Sequence, residues 1–181
     1  MHKIFISGFG GQGIMLMGEI LAYAAMIMGK QVTYIPSYGP EMRGGTANCS
    51  IAISDEAISS PIITNSAILV AMNAPSLAKF EKTVVPSGII FVNKSLIGSE
   101  QNRDDVEYVY IDCEGLAHDG ADEKPSNMIM LGAVVRKTGV VTIDAVYEAM
   151  DKKLIGDKAR YIEINRKALM AWNMAGTDIL T

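Results

Sequence analysis

Apolar and polar positions alternate along the chain in two different rhythms. Residues 3–7 (KIFIS) form a short apolar run that breaks into Gly8-Phe9-Gly10-Gly11-Gln12-Gly13, and apolar positions then continue through Met28 to Gly29. That order predicts a strand, a glycine turn and a helix over 14–28. Residues 31–35 return as a second strand, at a distance that fits a right-handed parallel βαβ crossover. The runs 67–72, 88–92 and 108–112 are short, partly β-branched and bounded by Pro, Gly, Asn and Ser, so they predict further buried strands. Residues 46–54 (TANCSIAIS) alternate small or polar with apolar side chains. With the turn-like Ser54-Asp55-Glu56 and the following Ser59-Ser60-Pro61, they predict an antiparallel hairpin. Asn127 is placed to cap a helix over 128–137, Asp144 lies in a helix reaching Met150, and 157–175 form a C-terminal helix containing Trp172. The expected fold is α/β: a Rossmann-like, mainly parallel sheet with helices on both faces and an antiparallel hairpin addition, in one domain over 1–181.

Two of these helices have almost no polar face. Residues 14–28 carry Glu19 as their only charge, and 128–135 (MIMLGAVV) carry none. Neither has the solvent stripe of a surface helix, so each must be covered on every side, at the centre of a domain or at a subunit interface. The chain holds 12 methionines, with Met15, Met17, Met26 and Met28 on the first helix. Flexible thioethers suit surfaces that adapt to a partner, which favours the interface and predicts a homodimer for the isolated chain.

Composition narrows the classes. Net charge is -4 and no Lys/Arg cluster stands out, so the electrostatic footprint of a nucleic-acid binder is missing. No apolar run reaches the length of a membrane span, and the first residues show no basic leader, so a cytoplasmic protein is expected. Cys49 and Cys113 are far apart, with no Cys-x-x-Cys and no Cys/His group, so no zinc or iron–sulfur site is expected in this chain alone. His2 and His118 stand singly and read as solvated. No Gly-x-Ser-x-Gly pattern appears, and no catalytic residue is assigned.

Candidate chemistry gathers at two places. Gly8, Gly10, Gly11, Gln12 and Gly13 satisfy Gly-x-Gly-x-x-Gly between a strand and a helix, where glycines permit a tight turn and helix-end N–H groups attract an anion. Such a turn serves equally as packing. A dinucleotide site would also need an acidic side chain at the end of the second strand. Residues 35–38 (IPSY) supply none, and Glu41 lies beyond Pro36 and Pro40. The second place is the loop Ser37-Tyr38-Gly39-Pro40-Glu41-Met42-Arg43-Gly44-Gly45, at the carboxyl edge of the sheet where sites in such folds form. Arg43 could reach a phosphate or carboxylate, or pair with Glu41.

These segments, with 46–54 and the later Asn127-Met128-Ile129-Met130-Leu131-Gly132-Ala133, resemble the gamma subunit of 2-oxoacid:ferredoxin oxidoreductases, over nearly the whole chain and most of all the 2-oxoglutarate enzyme. The resemblance implies a component of a complex that cleaves a 2-oxoacid with thiamine diphosphate and Mg, passes electrons through [4Fe-4S] clusters to ferredoxin or a similar acceptor, and makes acyl-CoA and CO2. It places those cofactors in alpha, beta or delta partners, with none held by this chain alone and coenzyme A as a co-substrate. It makes Gly8, Gly10, Gly11, Gln12, Gly13, Ser37, Tyr38, Gly39, Glu41, Arg43, Gly44 and Gly45 contacts for coenzyme A or for a partner. Two other classes stand beside it: an independent Rossmann-type NAD(P) oxidoreductase, and a ligand-free structural or regulatory module.

Overall fold

The computed structural model describes residues 1–38, 46–118 and 125–174. Six strands form one sheet: β1 (His2–Phe9), β2 (Gln31–Tyr38), β3 (Thr46–Ser54), β4 (Ser66–Ala71), β5 (Val84–Asn93) and β6 (Glu107–Ile111), in the spatial order β2-β3-β1-β4-β5-β6. β1, β4, β5 and β6 pair in parallel. β3 is antiparallel to both β1 and β2, so β2 shares the direction of β1 without touching it. The α/β sheet of the sequence is present, with its antiparallel addition.

Two details differ from the pattern-based expectation. The second strand does not close a unit on the first, because β3 lies between them. The hairpin partner of β3 is β2, and 55–65 form no strand. There the Ser54 hydroxyl accepts the Glu56 N–H at 3.1 Å and the Ser60 hydroxyl accepts the Ile62 N–H at 3.3 Å. Such local bonds satisfy backbone groups that would otherwise join a ladder, and Pro61 has no N–H to offer. β2 tolerates Pro36 because it is an edge strand.

Helices cover both faces, unequally. α1 (Ile14–Ile27) lies over β2 and β3. Beside it run α5 (Ser126–Thr138), α6 (Ile143–Lys153) and α7 (Ile162–Met174), with the short α4 (Cys113–Ala117) at the carboxyl edge. On this face Ile4, Ile6, Ile51, Ile53, Val70 and Phe91 meet Met17, Leu21, Met130 and Val134 in the larger core. The opposite face is covered by α2 (Ala74–Phe80), with Leu77 and Ile63 over Phe5, Leu69, Ile90 and Val92. A one-turn α3 (Lys94–Ile97) follows β5. α1 begins at Gly13 and ends before Gly29, both with positive φ that an L side chain rarely adopts.

The apolar helices find their cover inside the chain. α5 is buried along Asn127–Val135, between the sheet and α7, and α1, with eight buried residues, lies between β2–β3 and α6. The subunit interface expected for these two helices is therefore corrected: α6 and α7, which are amphipathic, supply the missing partners. On α1 Met26 remains open, as does Met28 just past its end. No helix among the described residues is long and apolar enough to cross a membrane.

Candidate functional site

The glycine turn and the end of β2 lie at the same edge. Gly8 of β1 pairs with Ala47 of β3, and Tyr38 of β2 pairs with the same Ala47 from the other side. Two strand spacings put their backbones about 10 Å apart. Ser37 is exposed and stands opposite Asn48, which in turn stands opposite Ser7. Gly39, Glu41, Arg43, Gly44 and Gly45, with Pro40, Met42 and the Tyr38 side chain, lie outside the described residues.

The inserted β3 also bears on the dinucleotide alternative. In that site the second strand adjoins the first, so its terminal acidic side chain reaches the ribose of a nucleotide seated on the turn. Here the end of β2 is displaced by a whole strand, and it carries Ser37 where an acid would be needed.

Within the turn each residue has a defined place. A β-carbon on Gly8 would meet Gln12 Oε1 at 2.6 Å and Ile14 Cδ1 at 2.7 Å, so only glycine lets the turn fold back on the strand. Gly10 lies at the turn itself. Gly11 has φ +102° and open space where a β-carbon would be, and it faces outward. Gly13, at φ 73° and ψ 21°, is the N-cap of α1, and no side chain caps that helix. Its first-turn N–H groups have no acceptor in the helix, and no acidic residue stands in that turn. This is an electropositive helix end at the rim of the sheet.

Gln12 points inward. Its Oε1 accepts from Phe9 N–H at 2.7 Å and from Asn73 Nδ2 at 3.2 Å, and its Nε2 donates to the Met72 carbonyl at 3.2 Å. Ser7 Oγ donates to Ser76 Oγ at 3.0 Å, and Asn73 Oδ1 accepts Ser76 N–H at 2.9 Å as the cap of α2. Ser7, Asn73 and Ser76 are all nearly inaccessible. The turn is thereby tied to the end of β4. Sequence patterns passed over this network. The signal was Asn73-Ala74-Pro75, an N-cap followed by proline in the first helical turn, which marks the start of α2.

Asn127 also has a different job from the one expected. Helix α5 starts at Ser126, two residues earlier than a cap at Asn127 would allow, with Pro125 as N-cap and no side-chain cap. The Asn127 amide instead donates to the Gly13 carbonyl at 3.2 Å.

Both cysteines are free and buried. Burial, with Glu19 nearby, pushes the Cys49 thiol up to about 12, and its Sγ lies 4.0 Å from the Ile14 carbonyl. Burial raises the Cys113 thiol as well, with Glu114 and Asp112 adding to it. His2 is pushed down by burial and by the neighbouring N-terminus and Lys30. No group of three or more His, Cys, Asp or Glu that could hold a metal ion occurs among the described residues.

Known proteins are similar to this chain in sequence and in fold. The family described as pyruvate ferredoxin/flavodoxin oxidoreductase matches residues 3–171. Ketoisovalerate oxidoreductase subunit VorA of Methanothermobacter thermautotrophicus is 34% identical over 171 residues, 93% of this chain and 35% of that protein. 2-oxoglutarate synthase subunit KorC of Methanothermobacter marburgensis is 36% identical over 155 residues, 82% of this chain and 83% of that protein. A solved structure of the gamma subunit of a keto/oxoacid ferredoxin oxidoreductase from Geobacter sulfurreducens superposes with a TM-score of 0.80 at 30% identity, covering 97% of this chain and 98% of that one. The chain thus spans about a third of the VorA relative and most of the KorC and gamma relatives.

Proposed function

The chain belongs to the pyruvate ferredoxin/flavodoxin oxidoreductase family, and from that premise we propose that residues 1–181 act as one gamma-type unit of a 2-oxoacid:ferredoxin oxidoreductase complex, inactive by itself. The observation that carries this is the match over 3–171 to a family whose members include KorC and a gamma subunit of nearly the same length. Thiamine diphosphate, Mg and the [4Fe-4S] clusters belong with alpha, beta or delta partners. A four-thiolate cluster needs more than the two cysteines present, and both of these are buried packing residues.

The role we assign to this chain is to shape the approach of coenzyme A. The uncapped start of α1, free of acidic residues and preceded by the open Gly11, fits a phosphate of that co-substrate. Arg43 is assigned to the same anion. The oxoacid we propose is 2-oxoglutarate, on the likeness to KorC. The comparable likeness to VorA makes 2-oxoisovalerate the second choice. Self-association of the isolated chain no longer has bare helices behind it and rests on the exposed Met26, Ile62 and Ile155.

The test is co-purification of the native chain, identification of its partners, and assay of the complex with 2-oxoglutarate, 2-oxoisovalerate and pyruvate in the presence of coenzyme A. Turnover is expected only in the complex and fastest with 2-oxoglutarate. Acceptor reduction by the chain alone, free of other subunits, would end the subunit assignment, and preference for 2-oxoisovalerate would reassign the substrate.

A further inference from the structure

The carbonyl of Gly13 receives two donors. Met17 N–H reaches it at 3.0 Å as the first bond of α1, and the Asn127 side-chain amide reaches it at 3.2 Å from α5. The peptide joining Gly13 to Ile14 is planar and trans, so its C=O and N–H point in opposite directions. Fixing the carbonyl inward therefore fixes the Ile14 N–H outward, at the open end of α1. That N–H is one of the groups the coenzyme reading relies on.

Asn127 is well suited to hold it. It is 9% exposed, in the first turn of a helix buried along nine residues, and α5 is itself pinned where Gly132 lets it touch the α7 backbone. A β-carbon on residue 13 would lie 2.2 Å from Asn127 Nδ2, so the contact exists only because residue 13 is glycine. On its other side the turn is held by Gln12, through Phe9, Asn73 and Met72. The turn is clamped from β4 and from α5, and its outward surface is left as backbone N–H.

We infer that Asn127 is a positioning residue: it touches no ligand, and it aims the first N–H groups of α1 at the anion that the glycine turn takes. The inference rests on the assignment of that anion to coenzyme A, and it gives the Asn of the Asn127–Ala133 segment a task other than capping its own helix.

The test uses the assembled complex carrying Asn127→Asp, which keeps the shape and removes the donor, and Asn127→Ser, which is too short to reach Gly13. Thr142→Ala, which removes the cap of α6, controls for a general loss of stability. Both Asn127 variants are expected to raise the KM for coenzyme A about three- to tenfold, the scale of one hydrogen bond, with kcat and the oxoacid KM little changed. Amide exchange over Gly11–Leu16 should quicken, while exchange in the middle of α5 stays slow. The control should move neither. Unchanged exchange at the turn in both variants overturns the latch itself. Faster exchange with an unaltered KM for coenzyme A overturns the positioning role by showing that the coenzyme is not taken at the turn.

Discussion

A β-carbon built on Gly132 would stand 2.1 Å from the carbonyl oxygen of Leu169, and the next atoms it would meet are also backbone. α5 and α7 thus cross with their main chains in contact, at the one residue of the buried helix that can allow it. Leu169 and Ala168 are fully buried beside it.

Gly132→Ala is accordingly expected to destabilise the chain although alanine is the better helix former. Backbone cannot swing aside as a side-chain tip can, and overpacking of this kind costs about 2–3 kcal/mol. For a chain of this size that lowers Tm by roughly 4–12 °C. Thermal unfolding of the purified variant checks it, and an unchanged Tm would mean that the helices do not cross at Gly132.

The two positive-φ glycines of the turn should respond differently. Gly11 has open space around it, so Gly11→Ala carries only the cost of the backbone conformation, about 1 kcal/mol. Gly13→Ala adds a collision with the Asn127 amide, which must leave the Gly13 carbonyl, and about 3 kcal/mol is expected. Denaturant midpoints of the two variants decide it, and equal losses would contradict the proximity of α1 and α5.

Which parts of this fold could be seen in the sequence follows from how local their causes are. α1 was legible because Gly13 and Gly29 bracket one apolar stretch in which Glu19 is the only charge. The cores of β4, β5 and β6 were legible because each is a dense apolar run. β5 begins earlier than its run suggested, since Pro86 and Gly88 interrupt the pattern and Ser87 takes φ 63°. The insertion of β3 between β1 and β2 was not legible: alternation fixes which face a residue uses and says nothing of which strand lies alongside. α6 and α7 were seen as helices, but that they cover α1 and α5 depends on packing between distant segments. The glycine turn was found by its spacing. The side chains that brace it come from Met72–Ser76 and from Asn127, and no spacing rule links positions so far apart.

Titration of the buried thiols gives a pH dependence with a definite sign. Burial moves Cys49 from 9.0 to about 12 and raises Cys113 as well. Between those values the folded chain keeps protons that the unfolded chain gives up. The contribution is therefore complete below about pH 9 and lost as pH rises towards about 12, by up to about 1.4 kcal/mol per pH unit for each thiol. Denaturant midpoints should be flat up to about pH 8.5 and fall above it, and Cys49→Ala should reduce the slope. Neither thiol should react with an aromatic disulfide until the chain unfolds, and rapid labelling of the native chain near neutral pH would contradict their burial.

Arg43 offers the sharpest separation between the two roles proposed for the loop that joins β2 to β3. Its neighbours at either end are placed: Tyr38 and Thr46 emerge at the carboxyl edge, with Tyr38 on the other side of Ala47 from Gly8. A guanidinium reaching from there towards the start of α1 would add a charge-assisted contact to a phosphate already facing the helix N–H groups. If that contact is worth about 1.5 kcal/mol, Arg43→Ala should raise the KM for coenzyme A on the order of tenfold while the complex assembles as before. Arg43→Lys should recover part of the loss, because it restores the charge without the planar fork. Should the alanine variant assemble normally and keep its coenzyme kinetics, the anion is not held by Arg43. Failure to assemble would instead make the loop a docking element, with Arg43 paired to a carboxylate of the partner. Kinetics on the complex, with native mass measured in parallel, distinguish the three outcomes.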